Sequence, residues 1–202
     1  PPAVSVTGEA TVSVAPDQAQ IEGGVTSDAK TAREASDANN AAMNKVLQAL
    51  KGAGIEEKDY QTSRLSLQPQ FATSSKVAER APGIVSFRAS NRVSVRIRDV
   101  TKVANVIDVL VGAGANEIGG INFTVTQASK HLDEAREKAI ADARRKAEIY
   151  AKAAGVTLGE PISISEEGAP TPVFRGKMAS PMAAGAPVAQ GEETLSVTVG
   201  VS

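Results

Sequence analysis

An α+β fold is what this sequence predicts, a mostly antiparallel sheet built from long hairpins and covered by two long helices and one shorter helix. Three observations lead there. Apolar residues fall on alternate positions in several separate runs, such as Ala10, Val12 and Val14 or Val93, Val95 and Ile97, which is the period of a strand with one buried face. Two long stretches instead place apolar residues every three or four positions, the period of an amphipathic helix. The order that results, ββαββαβαββ, interleaves the two types irregularly, which favours antiparallel pairing over repeated βαβ units.

Val4, Val6, Ala10, Val12 and Val14 alternate, with Gly8 at a position where a bulge is expected. Pro16-Asp17 is a turn pair, after which Ala19, Ile21, Gly23 and Val25 resume the alternation, so the chain is expected to open on a hairpin. Thr31-Ala32-Arg33-Glu34 fits a capping box. The helix that it starts is expected to bury Ala35, Ala42, Val46, Ala49 and Leu50 and to stop at Gly52 or Gly54.

A second hairpin follows. Leu65, Leu67 and Phe71 are expected inward on its first strand, and Phe87, Ala89, Val93, Val95 and Ile97 on its second, across a polar loop at residues 72–83. Asp99 can cap a shorter helix carrying Val103, Ile107, Leu110 and Val111, closed by Gly112 or Gly114. Ile121, Phe123 and Val125 form a further strand.

Ser129 is the expected cap of the longest helix, whose apolar face is Leu132, Ala135, Ala139, Ala143, Ala147, Tyr150 and Ala154. Glu134 and Lys138, Asp142 and Lys146, and Glu148 and Lys152 are acid-before-base pairs one turn apart, each adding a few tenths of a kcal/mol. Gly155 is placed for a left-handed cap before the strand from Pro161 to Ser165. The stretch 168–191 is rich in Ala, Pro and Gly, includes Met178 and Met182, and shows no period. It is expected to be a flexible loop within a single domain spanning 1–202, with Phe174 and Met182 among its few apolar anchors. Leu195, Val197, Val199 and Val201 close the chain as a strand.

The composition excludes more chemistry than it suggests. The formal charge of −1 and an aromatic content of 3% with no Trp argue against nucleic acid as a partner. Cysteine is absent and His131 is the sole histidine, so thiol catalysis and a zinc centre are not expected. The sequence has neither a G-x-S-x-G elbow nor an EF-hand loop. No metal or organic cofactor is therefore expected. Carboxylate dyads stay open at this point, because spacing in sequence does not report proximity in space, and the protein is expected not to be an enzyme. Glycine pairs follow the helices, whereas a phosphate loop precedes one. No apolar run reaches the roughly 18 residues of a membrane span.

One feature stands apart. The outward positions of the second hairpin include Arg64, Ser66, Gln68 and Gln70 facing Arg88, Arg92, Arg96 and Arg98, and between Gln61 and Arg98 the only acid is Glu79 in the loop. From Arg88 to Arg98 this stripe spans roughly 33 Å. A solvated face that discourages aggregation, an acidic surface of another subunit, and an anionic ligand or partner are the readings open to it. Phe174, Arg175, Met178 and Met182 extend the candidate interaction residues into the 168–191 stretch. The acids Asp133, Glu134 and Glu137 of the long helix are the expected counterpart in a second copy, an arrangement that closes into a ring or grows a filament.

Several stretches resemble the SIMPL-domain family of bacterial cell-envelope proteins, which includes the periplasmic immunogenic proteins. VSVTGEATVSVAPD is similar to its opening segment, and KTAREASDANNAAMNKVLQALKGAGIEEKDYQTS to its first helix and following turn. FRASNRVSVRIRDV resembles the next strand, AREKAIADARRKAEIYAKAAGVTLGEPISISE its most distinctive block, and VAQGEETLSVTVGVS its last strand. The resemblance implies an α+β fold, export to the periplasm or the periphery of the outer membrane, self-assembly into a homo-oligomer, and a link to envelope or oxidative stress. It implies no catalytic residue. A mature form without a signal peptide is expected for this chain, and an envelope protein as a further partner.

Overall fold

The structure, a computed structural model, describes residues 2–73, 83–168, 173–175 and 187–202, with the backbone alone at 173–175. It is α+β with two antiparallel sheets. The strands are β1 (Val6–Val14), β2 (Gln18–Ala29), β3 (Tyr60–Phe71), β4 (Ile84–Ile97), β5 (Glu117–Thr124), β6 (Ile164–Glu167), β7 (Val173–Arg175) and β8 (Glu192–Val201). The helices are α1 (Ala32–Gly52), α2 (Val103–Gly112), α3 (Ala128–His131) and α4 (Asp133–Ala154). Among the described residues no helix is long and apolar enough to cross a membrane. The chain divides into two compact units, one of Asp17–Thr124 with Ser180–Val188, the other of Pro1–Pro16, Val125–Ala179 and Ala189–Ser202.

The first of these units holds the sheet β3-β4-β2-β5 with α1 and α2 on one face. Alternation puts Ala19 and Ile21 of β2 opposite Ile97 and Val95 of β4, and Val93 opposite Gly23; these side chains and Val25 are buried against Met43, Val46 and Leu50 of α1 and Val103, Val106 and Leu110 of α2. Thr31 caps α1 by accepting from the Glu34 N–H at 3.2 Å. Both helices end in the same way. Gly54 and Gly114 take positive φ, and the following N–H groups of Ile55 and Ala115 turn back to the Leu50 and Leu110 carbonyls. Asp99 caps a 3₁₀ turn, Val100–Lys102, that leads into α2.

In the second unit β8 lies between β1 on one side and both β6 and β7 on the other. Leu195, Val197 and Val199 of β8 pack with Leu132, Ala135 and Ala139 below α4. The stripe of α4 runs Ala135, Ala139, Ala143, Ala147, Ala151, a strict four-residue step. Gly155 ends the helix at φ 70°, with the Val156 N–H bonded to the Ala151 carbonyl at 3.0 Å.

Several local expectations give way to tertiary packing. The opening hairpin does not form: β1 pairs with β8 over nine residues and β2 with β4 and β5. The Asp17 N–H bonds the Thr124 carbonyl, so the Pro16-Asp17 link joins two sheets. Gly8 is not a bulge, since the β1 register is continuous through it. Leu65, Leu67 and Phe71 are exposed because β3 is the outermost strand of its sheet. Ile121 and Val111 are exposed, and Val106 takes the buried place expected for Val111. On α1 Asn39 and Met43 are buried where Ala42 and Ala49 are only half-buried. Tyr150 and Ala154 are exposed, because the four-residue step leads to Ala151. Ser129 lies inside α3, and no side chain caps α4. Within 168–191 the three residues of β7 form a strand on β8, while Met178 and Met182 lie outside the described residues.

Candidate functional site

The exposed face of the β3-β4-β2-β5 sheet carries the arginine stripe, and cross-strand register decides what each arginine meets. Three rows run across the strands. Arg64 stands opposite Arg92, then Gly24, then Glu117; Ser66 opposite Ser90, then Thr26; Gln68 opposite Arg88, then Asp28. The side-chain period of two puts all of them on the face away from α1 and α2.

Gly24 opens the first row. A Cβ there would lie 2.8 Å from Cγ of Arg92 and 2.5 Å from the Asn91 carbonyl oxygen. With hydrogen in its place, Arg92 reaches over β2 and donates from Nε to Glu117 Oε2 at 2.9 Å. That hydrogen bond, with a further one from Thr26, holds the Glu117 carboxyl below the usual carboxylate range, and the positive charge of Arg64 adds to the effect. In the third row Arg88 forms a two-pronged pair with Asp28, Nε to Oδ1 at 2.8 Å and Nη2 to Oδ2 at 2.9 Å. The same bond lowers the Asp28 pKa and raises that of Arg88. In the second row Thr26 Oγ1 and Ser90 Oγ lie 3.3 Å apart, within hydrogen-bond distance. At the outer end of β5, the Asn116 side chain exchanges two 2.8 Å hydrogen bonds with the Thr26 backbone and prolongs the ladder.

These rows form a polar hollow of about 140 Å³ over Ser66 and Ser90, with Arg64, Arg88, Arg92 and the Glu117 carboxylate around it. Arg96 and Arg98 take no part in it. Both grip Asp59, at the end of the 3₁₀ turn Glu57–Asp59, with nitrogen–oxygen distances of 2.8 and 3.0 Å. Asp59 is only 7% exposed and its pKa is lowered, by the hydrogen bond from Arg98 first and that from Arg96 next. This pair of arginines therefore fastens the base of the β3–β4 hairpin to the turn before it.

The stripe that looks free of acids in the sequence is thus largely neutralised by the fold. Asp28 comes from β2, Glu117 from β5 and Asp59 from the turn before β3, 25 to 60 residues from their arginines. Local sequence around the arginines carries no sign of these partners. The one usable signal was parity on β2: with Ala19, Ile21 and Val25 inward, Glu22 and Asp28 must share the outward face. On α4, Asp133 pairs with Arg136 at 2.8 Å and Glu134 with Lys138 at 2.6 Å. Asp142 meets Lys146 as expected, whereas Glu148 pairs with Arg144 and not with Lys152. His131 is exposed in the last turn of α3. Of the residues in 168–191, Phe174 and Arg175 sit on β7, paired in register with Glu193 and Glu192.

A family model, SIMPL, described as a protein of unknown function (DUF541), matches residues 4–202. The chain is 39% identical over 209 aligned residues to the 26 kDa periplasmic immunogenic protein of Brucella melitensis, covering all of this chain and 84% of that one. It is 30% identical over 163 residues to the uncharacterized protein YggE of Edwardsiella ictaluri, covering 81% of this chain and 67% of that one. For YggE of Escherichia coli the identity is 27% over 163 residues, with 81% and 65% covered. The matched range takes in every element from β1 to β8, and the chain belongs to the SIMPL family.

Proposed function

We propose that this protein is a non-enzymatic, self-associating component of the bacterial cell envelope, resident in the periplasm and working under envelope or oxidative stress. The periplasmic name of the 39% identical Brucella relative supports the compartment. The observation that carries self-association is the exposed edge of β3. Leu65 is 71% and Leu67 47% exposed on a strand that has no partner on its outer side among the described residues, and Arg64 is its only charged residue. An edge of this length is a template for another strand, with Pro69 the one residue on it that has no N–H to give.

A second copy is the occupant that β3 suits. Paired antiparallel to itself about Leu67, the strand would set Arg64 opposite Gln70, Leu65 opposite Pro69 and Ser66 opposite Gln68, with no like charges facing. Such a contact is isologous and closes on itself. The expected contact between the arginine stripe and the acids of another copy's long helix is not the one we propose, since Arg88, Arg92, Arg96, Arg98, Asp133 and Glu134 each have a partner within their own unit. Light scattering at micromolar concentration should give a multiple of 20.8 kDa, and replacing Leu65 and Leu67 together by Glu should return the mass to one chain with the far-ultraviolet dichroism unchanged. A monomeric parent refutes self-association. An oligomer indifferent to the two charges refutes this surface.

A further inference from the structure

We infer that the hollow over Ser66 and Ser90 is a binding site for one small oxyanion, a tetrahedral phosphate or sulfate group or a single carboxylate. The first reason is a local excess of charge. Three guanidinium groups, Arg64, Arg88 and Arg92, face two carboxylates, Asp28 and Glu117, so one positive charge is left over. The second is register. Arg64 and Arg92 are directly opposite on β3 and β4, and like charges so placed destabilise a sheet unless something negative lies between them. Glu117 bonds Arg92 and also feels the charge of Arg64, but among the described residues no carboxylate is within ion-pair distance of Arg64.

Pre-organisation is the third reason. Asp28 holds Arg88 through Nε and Nη2 and Glu117 holds Arg92 through Nε, and fixed guanidinium groups lose little freedom when a ligand takes their remaining N–H donors. Ser66 and Ser90 line the same hollow with hydroxyl groups, and Gln68 with an amide. This donor set matches oxygen atoms that carry charge, and the planar forks of arginine suit both carboxylate and phosphate. A volume of about 140 Å³ is below the roughly 300 Å³ at which sites for drug-sized ligands begin, so the occupant is a single small anionic group.

Isothermal titration calorimetry with sodium phosphate, sodium sulfate and sodium acetate, each against sodium chloride at matched ionic strength, tests the assignment. A saturable heat is expected from at least one of the three anions below about 10 mM, with Arg64→Gln weakening it about tenfold or more and Ser90→Ala also weakening it. Solution mass is measured in parallel for each variant, because Arg64 lies on the β3 edge while Ser90 lies on the inner strand β4. Saturable binding of phosphate or sulfate but not acetate identifies a tetrahedral group. Binding of acetate identifies a carboxylate, free or at the end of a peptide. No saturable heat from any of the three overturns the site, as does binding that Arg64→Gln and Ser90→Ala both leave unchanged. Stabilisation by sulfate or phosphate that does not saturate and persists in both variants is the general effect of excluded salts and counts against the site.

Discussion

Gly8 of β1 lies against Ala139 of α4 so closely that a Cβ at position 8 would overlap the Ala139 carbonyl oxygen and stand 2.8 Å from Cβ of Ala143. The alanine stripe of α4 and the missing side chain of β1 thus form one contact, helix backbone on strand backbone. Lys146 and Asp142, on the same helix, bond the Thr7 carbonyl at 2.8 Å and the Glu9 N–H at 3.0 Å, on either side of Gly8. Gly8→Ala should therefore destabilise the fold by about 3 kcal/mol through overpacking against backbone. Gly52→Ala, where nothing lies within 4 Å, should be neutral or gain about 0.5 kcal/mol from lower chain entropy. Urea midpoints of the two variants check the contrast.

Asn39 is a buried polar residue with a clear task. Its side-chain amide donates to the carbonyl oxygens of Val25 at 2.8 Å and Ala89 at 3.1 Å, joining α1 to two strands at once. Asn39→Ala should cost about 2 kcal/mol from the lost bonds and the space left behind. Asn39→Asp should cost more at pH 7, because a carboxylate would face two carbonyl oxygens away from water. In that variant burial raises the folded pKa of Asp above its unfolded value, so the deficit should shrink as pH falls. Denaturation of both variants at pH 5 and pH 7 distinguishes hydrogen bonding from simple packing.

The Asp59 clamp makes a pH prediction of the opposite sign. Arg98 and Arg96 hold its folded pKa below the ordinary value. Its contribution to stability is therefore fully present above the unfolded pKa near 4, and is lost as pH falls through the lower folded value. Asp59→Asn should remove about 2 kcal/mol at pH 7 and less as pH falls below about 4, where the parent begins to lose the same contribution. A cost that stays constant from pH 7 down through the acid range in which the parent itself loses stability would mean that the carboxylate charge is not what matters.

Gly155→Val should cost about 1 kcal/mol or more. Position 155 has no heavy atom near its absent side chain, so the cost comes from holding a β-branched residue at φ 70° and not from a clash. Gly155→Asn should cost less, since Asn tolerates that conformation. Thermal midpoints of the pair check this, and equal losses would show that space and not backbone angle sets the requirement.

The sequence by itself determined the kind and order of the main elements, the capping at Thr31 and Gly155, the ends of α1 and α2 to within two residues, and the buried faces of β2, β4 and most of α2 and α4. These rest on local physics, a period of two or of 3.6 and an unsatisfied end of a helix, and each can be read within a few residues. The outward placement of Arg64, Arg88 and Arg92 was legible for the same reason. Tertiary structure alone decided that β1 joins β8 across nearly the whole chain, that β3 lies at an edge and exposes Leu65 and Leu67, and that Asp28, Asp59 and Glu117 come to the arginines. Strand partners are chosen by packing between distant segments, and such a choice leaves no trace in the local period. The site follows from that choice, because an ion pair across a sheet depends on register, and register is fixed only when both strands are in place.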